Sequence, residues 1–388
     1  MNIGAVALRS PFALAPMAGM TDTAFRRLVK RRGGCGLVVT EMVSAEGLVR
    51  GIDRTLHYAE YTEEERPVAI QIFGGDPGKM AAAAEIVQAM SADVVDVNMG
   101  CPVPKIARHN AGCSLMREPE HAASVVRAMT RAVTIPVTVK MRTGWDERHV
   151  NAPVLAKMME DAGAAAVAVH GRTAAQSYSG SSDWGLIDQV ARTISIPVFG
   201  SGDCVTAEQM MARKCQTGVA GVLVGRGALR NPWIFKQAAD LAAGGAVEEV
   251  PLTERGRFLL DYIELLLGER IGEADGFRHL PPGEHECADA RPAPSRGSAA
   301  QRATERPALR PPEWAAGTPR ARWVVNKVRA LASWYTKGLD DGAALRTAIN
   351  RAASTDELRD LIGQFFFAEP PRRNRPAFID DCRLSIAD

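Results

Sequence analysis

Eight short apolar runs, each closed by a polar or glycine-bearing cluster, punctuate the first 230 residues: PFALAP (11–16), GLVVTE (36–41), VAIQIFGG (68–75), DVVDVNMG (93–100), PVTVKMR (136–142), AAVAVHGR (165–172), PVFGSGD (197–203) and GVLVGRG (221–227). Runs this rich in β-branched residues, with little polar alternation, predict strands covered on both faces. The stretches between them, such as MAAAAEIVQAM and APVLAKMMEDAGA, space their apolar residues helically and are built of good helix formers. Eight strand–helix units predict a (β/α)8 barrel, a fold that takes about 250 residues. A doubly wound open sheet is the other arrangement this alternation allows. Against it, no Gly-x-Gly-x-x-Gly follows the first strand, and the glycine clusters fall after the seventh and eighth.

The pattern changes beyond residue 245. RGRFLLDYIELLLGER (255–270) predicts an amphipathic helix, and helical spacing returns at RWVVNKVRALASWYTKG (322–338), AALRTAINRAAS and TDELRDLIGQFFF. Between them, residues 271–319 are rich in Pro, Arg, Gly and Ala without a sustained period, which predicts a disordered insertion. The expected organisation is a barrel over 1–245, a helical domain from 246–270 and 320–367, the insertion at 271–319 and a tail over 368–388.

Lys+Arg 47 against Asp+Glu 45 leaves a formal charge of +2 over 388 residues, so any polyanionic partner must be met by a local patch. No apolar run is long enough for a membrane span, and the N-terminal stretch, interrupted by Arg9 and Pro11, does not read as a signal peptide. Seven cysteines without a CxxC pair argue against a disulfide framework and against a zinc site; no metal is expected, and free thiols suit the cytoplasm.

Chemistry in such a barrel gathers at the carboxyl ends of the strands. Those ends carry Met17, Glu41, Gln71, Asn98, Cys101, Lys140, Arg142, His170, Arg172, Ser201–Asp203 and Gly225–Arg226. The last two clusters occupy the usual phosphate corner, where glycine turns let backbone N–H groups approach an anion and Arg226 adds a charge-assisted bond. Glycines also simply close tight turns, but two clusters at these two ends favour phosphate. Lys140, a cation in an apolar strand, points to an anionic ligand; a flavin ring, negative when reduced, is such a ligand. Gln71 suits the amide-like edge of that ring and Met17 its face, while His170 taken alone reads better as a core histidine. Cys101 sits in a turn fixed by Pro102, where a protonated thiol can serve as an acid.

The segments APMAGMTDTAFRRL, VNMGCPVPKIARHNAGCSLM, VTVKMRTGW, VHGRTAAQSYSGSSDW, GSGD and GVLVGRGALRNPWIF together resemble the tRNA-dihydrouridine synthases, most closely the bacterial B-type subfamily. The resemblance spans roughly residues 1–240, and more weakly 322–367. It implies an FMN-bearing TIM barrel with a helical tRNA-binding domain. By the same resemblance NADPH would reduce the flavin, hydride would pass to C6 of a uridine, expected in the D-loop, and Cys101 would protonate C5. FMN contacts carry over to Pro16, Met17, Ala18, Gln71, Lys140, Ser201, Gly202, Asp203, Gly225 and Arg226, with His170 added; Asn98 and Arg142 fall on the uracil side. The absence of a Rossmann segment suggests a transient nicotinamide visit, hence ping-pong kinetics. A monomer is favoured. The chain departs from the subfamily at Arg329–Tyr335, where a Lys and a His before Trp-Tyr are missing, although Arg320, Arg322, Lys327, Arg329 and Lys337 still suggest a basic face for phosphates. Other readings of the same residues are an FMN reductase of a small enone-like metabolite and an RNA-binding protein without catalysis.

Overall fold

A computed structural model describes residues 1–107, 110–268 and 319–367. Residues 271–318 of the expected insertion and the whole tail at 368–388 lie outside the described residues.

Eight strands form the barrel: β1 (Phe12–Leu14), β2 (Leu37–Val39), β3 (Val68–Phe73), β4 (Val94–Met99), β5 (Val137–Arg142), β6 (Ala166–His170), β7 (Val198–Ser201) and β8 (Gly221–Val224). Each pairs in parallel with the next, and β8 pairs with β1 through Val222↔Phe12 and Val224↔Leu14, which closes the ring. The predicted (β/α)8 barrel is therefore the observed one. Strand alternation sorts the side chains. Val95, Val97 and Met99, or Val137, Val139 and Met141, face outward into the main core under the helices. Ala13, Ala69, Val94, Ala166 and Phe199 face inward and fill the barrel.

Helices α1 (Thr23–Arg32), α2 (Pro77–Ala89), α3 (Pro119–Ala132), α4 (Ala152–Asp161), α5 (Trp184–Thr193), α6 (Ala207–Gln216) and α7 (Ile234–Ala242) clothe the strands. Their starts are written locally: Asp22, Asp76 and Asp183 each accept a backbone N–H of the first turn, and Thr206 with Gln209 forms a capping box. An unanticipated antiparallel hairpin, Asn2–Ile3 with Val6–Ala7, packs Ile3 and Leu8 against the inner barrel cluster.

One buried ion pair ties α1 to the loop before β3. Arg26 Nε lies 2.5 Å from Glu65, and its two other nitrogens donate to the carbonyls of Thr21 and Glu60. Glu65 also accepts from Thr62 N–H at 2.9 Å. Removing one partner of such a pair leaves an uncompensated buried charge, so Glu65→Ala is expected to cost about 3–5 kcal/mol in a denaturant titration. A loss below 1 kcal/mol would show that the pair contributes little.

Beyond the barrel come α8 (Leu252–Leu267), α9 (Pro319–Tyr335), α10 (Gly342–Arg351) and α11 (Thr355–Phe367). Phe258 of α8 meets Phe25 of α1 edge-on at 6.0 Å and stacks on Tyr335 of α9 at 5.5 Å, so these helices share the barrel's outer core. The α8–α11 approach requires Gly256, where a Cβ would lie 2.4 Å from Phe366 Cβ. The basic face expected on 320–337 is not uniform. Lys327, at 13% side-chain exposure, turns inward to Asp22 and Glu41, and Arg329 donates to the Ala352 carbonyl at 2.8 Å. No helix among the described residues is long and apolar enough to cross a membrane.

Candidate active site at the carboxyl ends of the strands

The inward parity of β3 to β6 places Gln71, Asn98, Lys140, Arg142 and His170 at the top of the barrel, above the alanines that fill it. A cavity of about 270 Å3 opens there. Its walls are Pro16 and Met17 after β1, Lys140, His170, Ser201, Gly202 and Asp203 after β7, and Gly225 and Arg226 after β8, with Tyr178 and Trp334 completing them. Gln71, Asn98, Cys101 and Arg142 lie beside these walls rather than in them; Asn98 is the register neighbour of Lys140. Ala18 is on the exposed shoulder of the first loop.

Lys140 makes no hydrogen bond or ion pair among the described residues. Burial, with Arg142 adding repulsion, pushes its amine down to about 8 despite Asp96 and Cys101 nearby. His170 is pushed down to about 2 by burial and by Lys140, Arg142, Arg172 and Arg226, so its imidazole is neutral across the working range. Its buried Nδ1 has no hydrogen-bond partner among the described residues.

The corner formed by the β7 and β8 loops is shaped by strain and charge. Gly202 has φ +136, and a Cβ there would fall 1.9 Å from Ser182 Oγ, so only glycine fits. Asp203, itself at φ 52, accepts from the Ser182 amide at 2.7 Å and from Arg172 at 2.9 Å, with Arg226 at 3.5 Å from its other oxygen. Burial opposes its charge, yet the Ser182 amide and Arg172 hold the carboxyl below its ordinary value. Arg172 is otherwise spent on Ser179, Gly180 and Ser182. Arg226, a third exposed and lying over the Tyr178 ring at 4.7 Å, lines the cavity at this corner together with Arg230.

On the other side a buried relay ends at Cys101. Thr138 donates to Asp96 at 2.6 Å and Gln71 Nε2 donates to its second oxygen at 2.7 Å. Asn98 Nδ2 donates to Gln71 Oε1 at 2.8 Å, and Asn98 Oδ1 accepts the amides of Gly100 and Cys101 at 3.1 and 2.9 Å. The two amide side chains expected against ligand thus also hold the cysteine turn. Arg142, 4% exposed, donates to Gly100, Thr173 and Ser177 carbonyls and ties that turn to the loop after β6. Cys101 is half-buried, whereas burial pushes the neighbouring Cys113 thiol up to about 11.

Asp96, Tyr178 and Trp334 were not singled out from the sequence, and Arg172 was noted only as a strand-end residue. Asp96 had a signal, an acid at an inward position of an otherwise apolar strand. Tyr178 and Trp334 had none, because long-range packing alone brings them to the cavity.

Residues 13–283 match the family model described as dihydrouridine synthase (Dus). The tRNA-dihydrouridine synthase B of Pseudomonas aeruginosa is 39% identical over 286 residues, 72% of this chain and 85% of that protein. That of Xanthomonas campestris is 40% identical over 284 residues, with the same shares covered. A probable tRNA-dihydrouridine synthase of Rhodobacter capsulatus is 40% identical over 286 residues, 72% of this chain and 88% of its own. Among solved structures, morphinone reductase aligns with a TM-score of 0.46 at 14% identity, over 64% of this chain and 90% of that one, too distant to bear on chemistry.

Proposed function

The chain belongs to the dihydrouridine synthase family, an oxidoreductase family, and we propose that it reduces a specific uridine of tRNA, in the D-loop, to 5,6-dihydrouridine with FMN as cofactor and NADPH as reductant. The observation that carries this reading is the one cavity uniting Lys140, which makes no ion pair among the described residues, the Nδ1 of His170, unpartnered among them, and the glycine-lined Arg226 corner. The residues fit the cofactor. A flavin ring, negative when reduced, would answer Lys140, a hydrogen-bond donor or acceptor would answer His170 Nδ1, and a phosphate would answer Arg226. Pro16 and Met17 would flank it, with Ser201, Gly202, Asp203 and Gly225 on the phosphate side, whereas the contacts expected of Ala18 and Gln71 rest on the resemblance alone, since neither lines the cavity.

Bound and reduced, FMN would supply the hydride for C6 of the uracil ring. The protein's own part is to place the base, to hold charge and to deliver a proton. Hydride arrival at C6 builds enolate character at C5 and the adjacent carbonyl. Cys101 Sγ gives its proton to C5, and its thiolate is reprotonated from solvent. Lys140 contributes positive charge to an otherwise dry site, where it acts strongly. Asn98 and Arg142 have a double task, fixing the Cys101 turn and facing the uracil side. A base within folded tRNA must be unstacked to reach this cavity, so contacts elsewhere on the RNA supply that cost.

The test is a purified protein and a strain lacking its gene. A yellow protein with a flavin spectrum, together with dihydrouridine restored in D-loop fragments on complementation, is the expected result. A colourless protein removes every flavin reading. A yellow protein that leaves tRNA unchanged assigns the site to a small enone-like substrate.

A further inference from the structure

A buried charge cluster joins the helical bundle to the loop that follows β1. Lys327 Nζ on α9 lies 3.0 Å from Asp22 Oδ2 and 3.4 Å from Glu41 Oε1, and donates to the Gly19 carbonyl at 2.8 Å. The other oxygen of Glu41 accepts the Gly19 amide at 2.6 Å. Asp22 accepts the Tyr262 hydroxyl of α8 at 2.8 Å while capping α1. The three charged side chains are only 13%, 12% and 7% exposed, so the cluster is a built feature and not a solvated surface pair.

The tip of the loop it grips has little packing of its own, although Met17 and Met20 beside it pack against the core and buried Thr21 bonds to Met17. Ala18 and Gly19 are exposed, and a Cβ placed on Gly19 would touch nothing within 4 Å. Polar ties at Gly19, its carbonyl to Lys327 and its amide to Glu41, therefore anchor the tip of the segment that carries Pro16 and Met17 into the cavity, adding to the Met17–Thr21 bonds within it. Met17 reaches across to β8: a Cβ on Gly225 would lie 3.3 Å from its sulfur. The same helix meets the cavity a second time. Trp334 follows Lys327 by seven residues, about two turns, which puts both on one face of α9, and Trp334 is part of the cavity wall. The short helix Arg226–Arg230 packs against α9 at that end.

We propose that Lys327 is a positioning residue for the flavin, setting the first loop through the Gly19 peptide and seating Trp334 at the cavity, so that the helical bundle governs how tightly the barrel keeps its cofactor. This rests on the flavin reading of the cavity. Without the ammonium, Asp22 and Glu41 are two carboxylates in one dry junction, which repel each other and release the loop.

The measurement is FMN dissociation from the purified holoenzyme, followed by the fluorescence of released FMN. Lys327→Met is expected to raise the FMN Kd about tenfold, the worth of one charge-assisted bond, and Lys327→Arg to restore most of it. Hydrogen exchange on the flavin-free protein gives a second readout: peptides covering 16–22 should exchange faster in Lys327→Met. Phe258→Leu, which loosens the same junction without touching the loop, separates positioning from general stability and is expected to leave Kd within about twofold. If Lys327→Met does not fold, the charge-free combination Asp22→Asn, Glu41→Gln, Lys327→Met replaces it under the same criteria. A wild-type Kd in a folded charge-removing variant, or an equal rise in Phe258→Leu, overturns the proposal while leaving the flavin reading intact. A wild type that binds no FMN overturns that reading instead.

Discussion

Cys101→Ala is expected to yield a yellow protein whose flavin is still reduced by NADPH at the wild-type rate, while dihydrouridine formation falls by roughly 10²- to 10⁴-fold, the usual worth of a positioned general acid. The two halves of the reaction separate because the cysteine turn does not depend on its sulfur. The Cys101 amide is held by Asn98 Oδ1, and its carbonyl accepts the Cys113 amide at 3.1 Å. Alanine keeps both bonds, so the loop, the cavity and the cofactor contacts persist. Stopped-flow traces of flavin reduction and of reoxidation by tRNA read the halves independently. Reoxidation at the wild-type rate would assign proton delivery to another group, and a slowed reductive half would mean that the turn had moved.

Lys140→Met is expected to weaken FMN binding about 10- to 100-fold, in line with about 1.5–3 kcal/mol for a charge-assisted bond inside a dry site. The pH dependence carries its own signature. With its amine near 8 in the empty cavity, Lys140 is charged below that pH and increasingly neutral above it. A ring that accepts a charge-assisted hydrogen bond from the ammonium selects the charged form, so affinity is highest below about pH 8 and declines as pH rises through that value. Binding itself raises the amine's affinity for its proton, which stretches the decline over a wider range. The methionine variant has no such amine and should show a flatter profile over the same interval. Equal slopes in the two proteins would remove Lys140 from cofactor binding.

Much of the site was legible because alternation in a buried strand is a strict rule. Once β3 to β6 are recognised, the parity of Gln71, Asn98, Lys140 and His170 follows, and the strand ends bring them together. The Gly202–Asp203 turn was legible for a similar reason, since few residues tolerate its backbone. What stayed hidden depends on partners far along the chain. Arg172 reads as one more strand-end cation until Asp203, Ser179 and Gly180 are seen to consume it. Lys327 reads as a solvent-facing helix residue until the fold sets it beside Asp22 and Glu41. The N-terminal hairpin escaped notice because its strands are two residues long, too short for any periodicity.

The ring of Phe258, wedged between Phe25 and Tyr335, joins the barrel and its appended helices through a shared aromatic contact. Heat should therefore take both down in a single step. Evolution meets the same constraint: a descendant wanting a different helical cap cannot borrow one as a module, but must re-fit α1 to whatever aromatic face arrives with it.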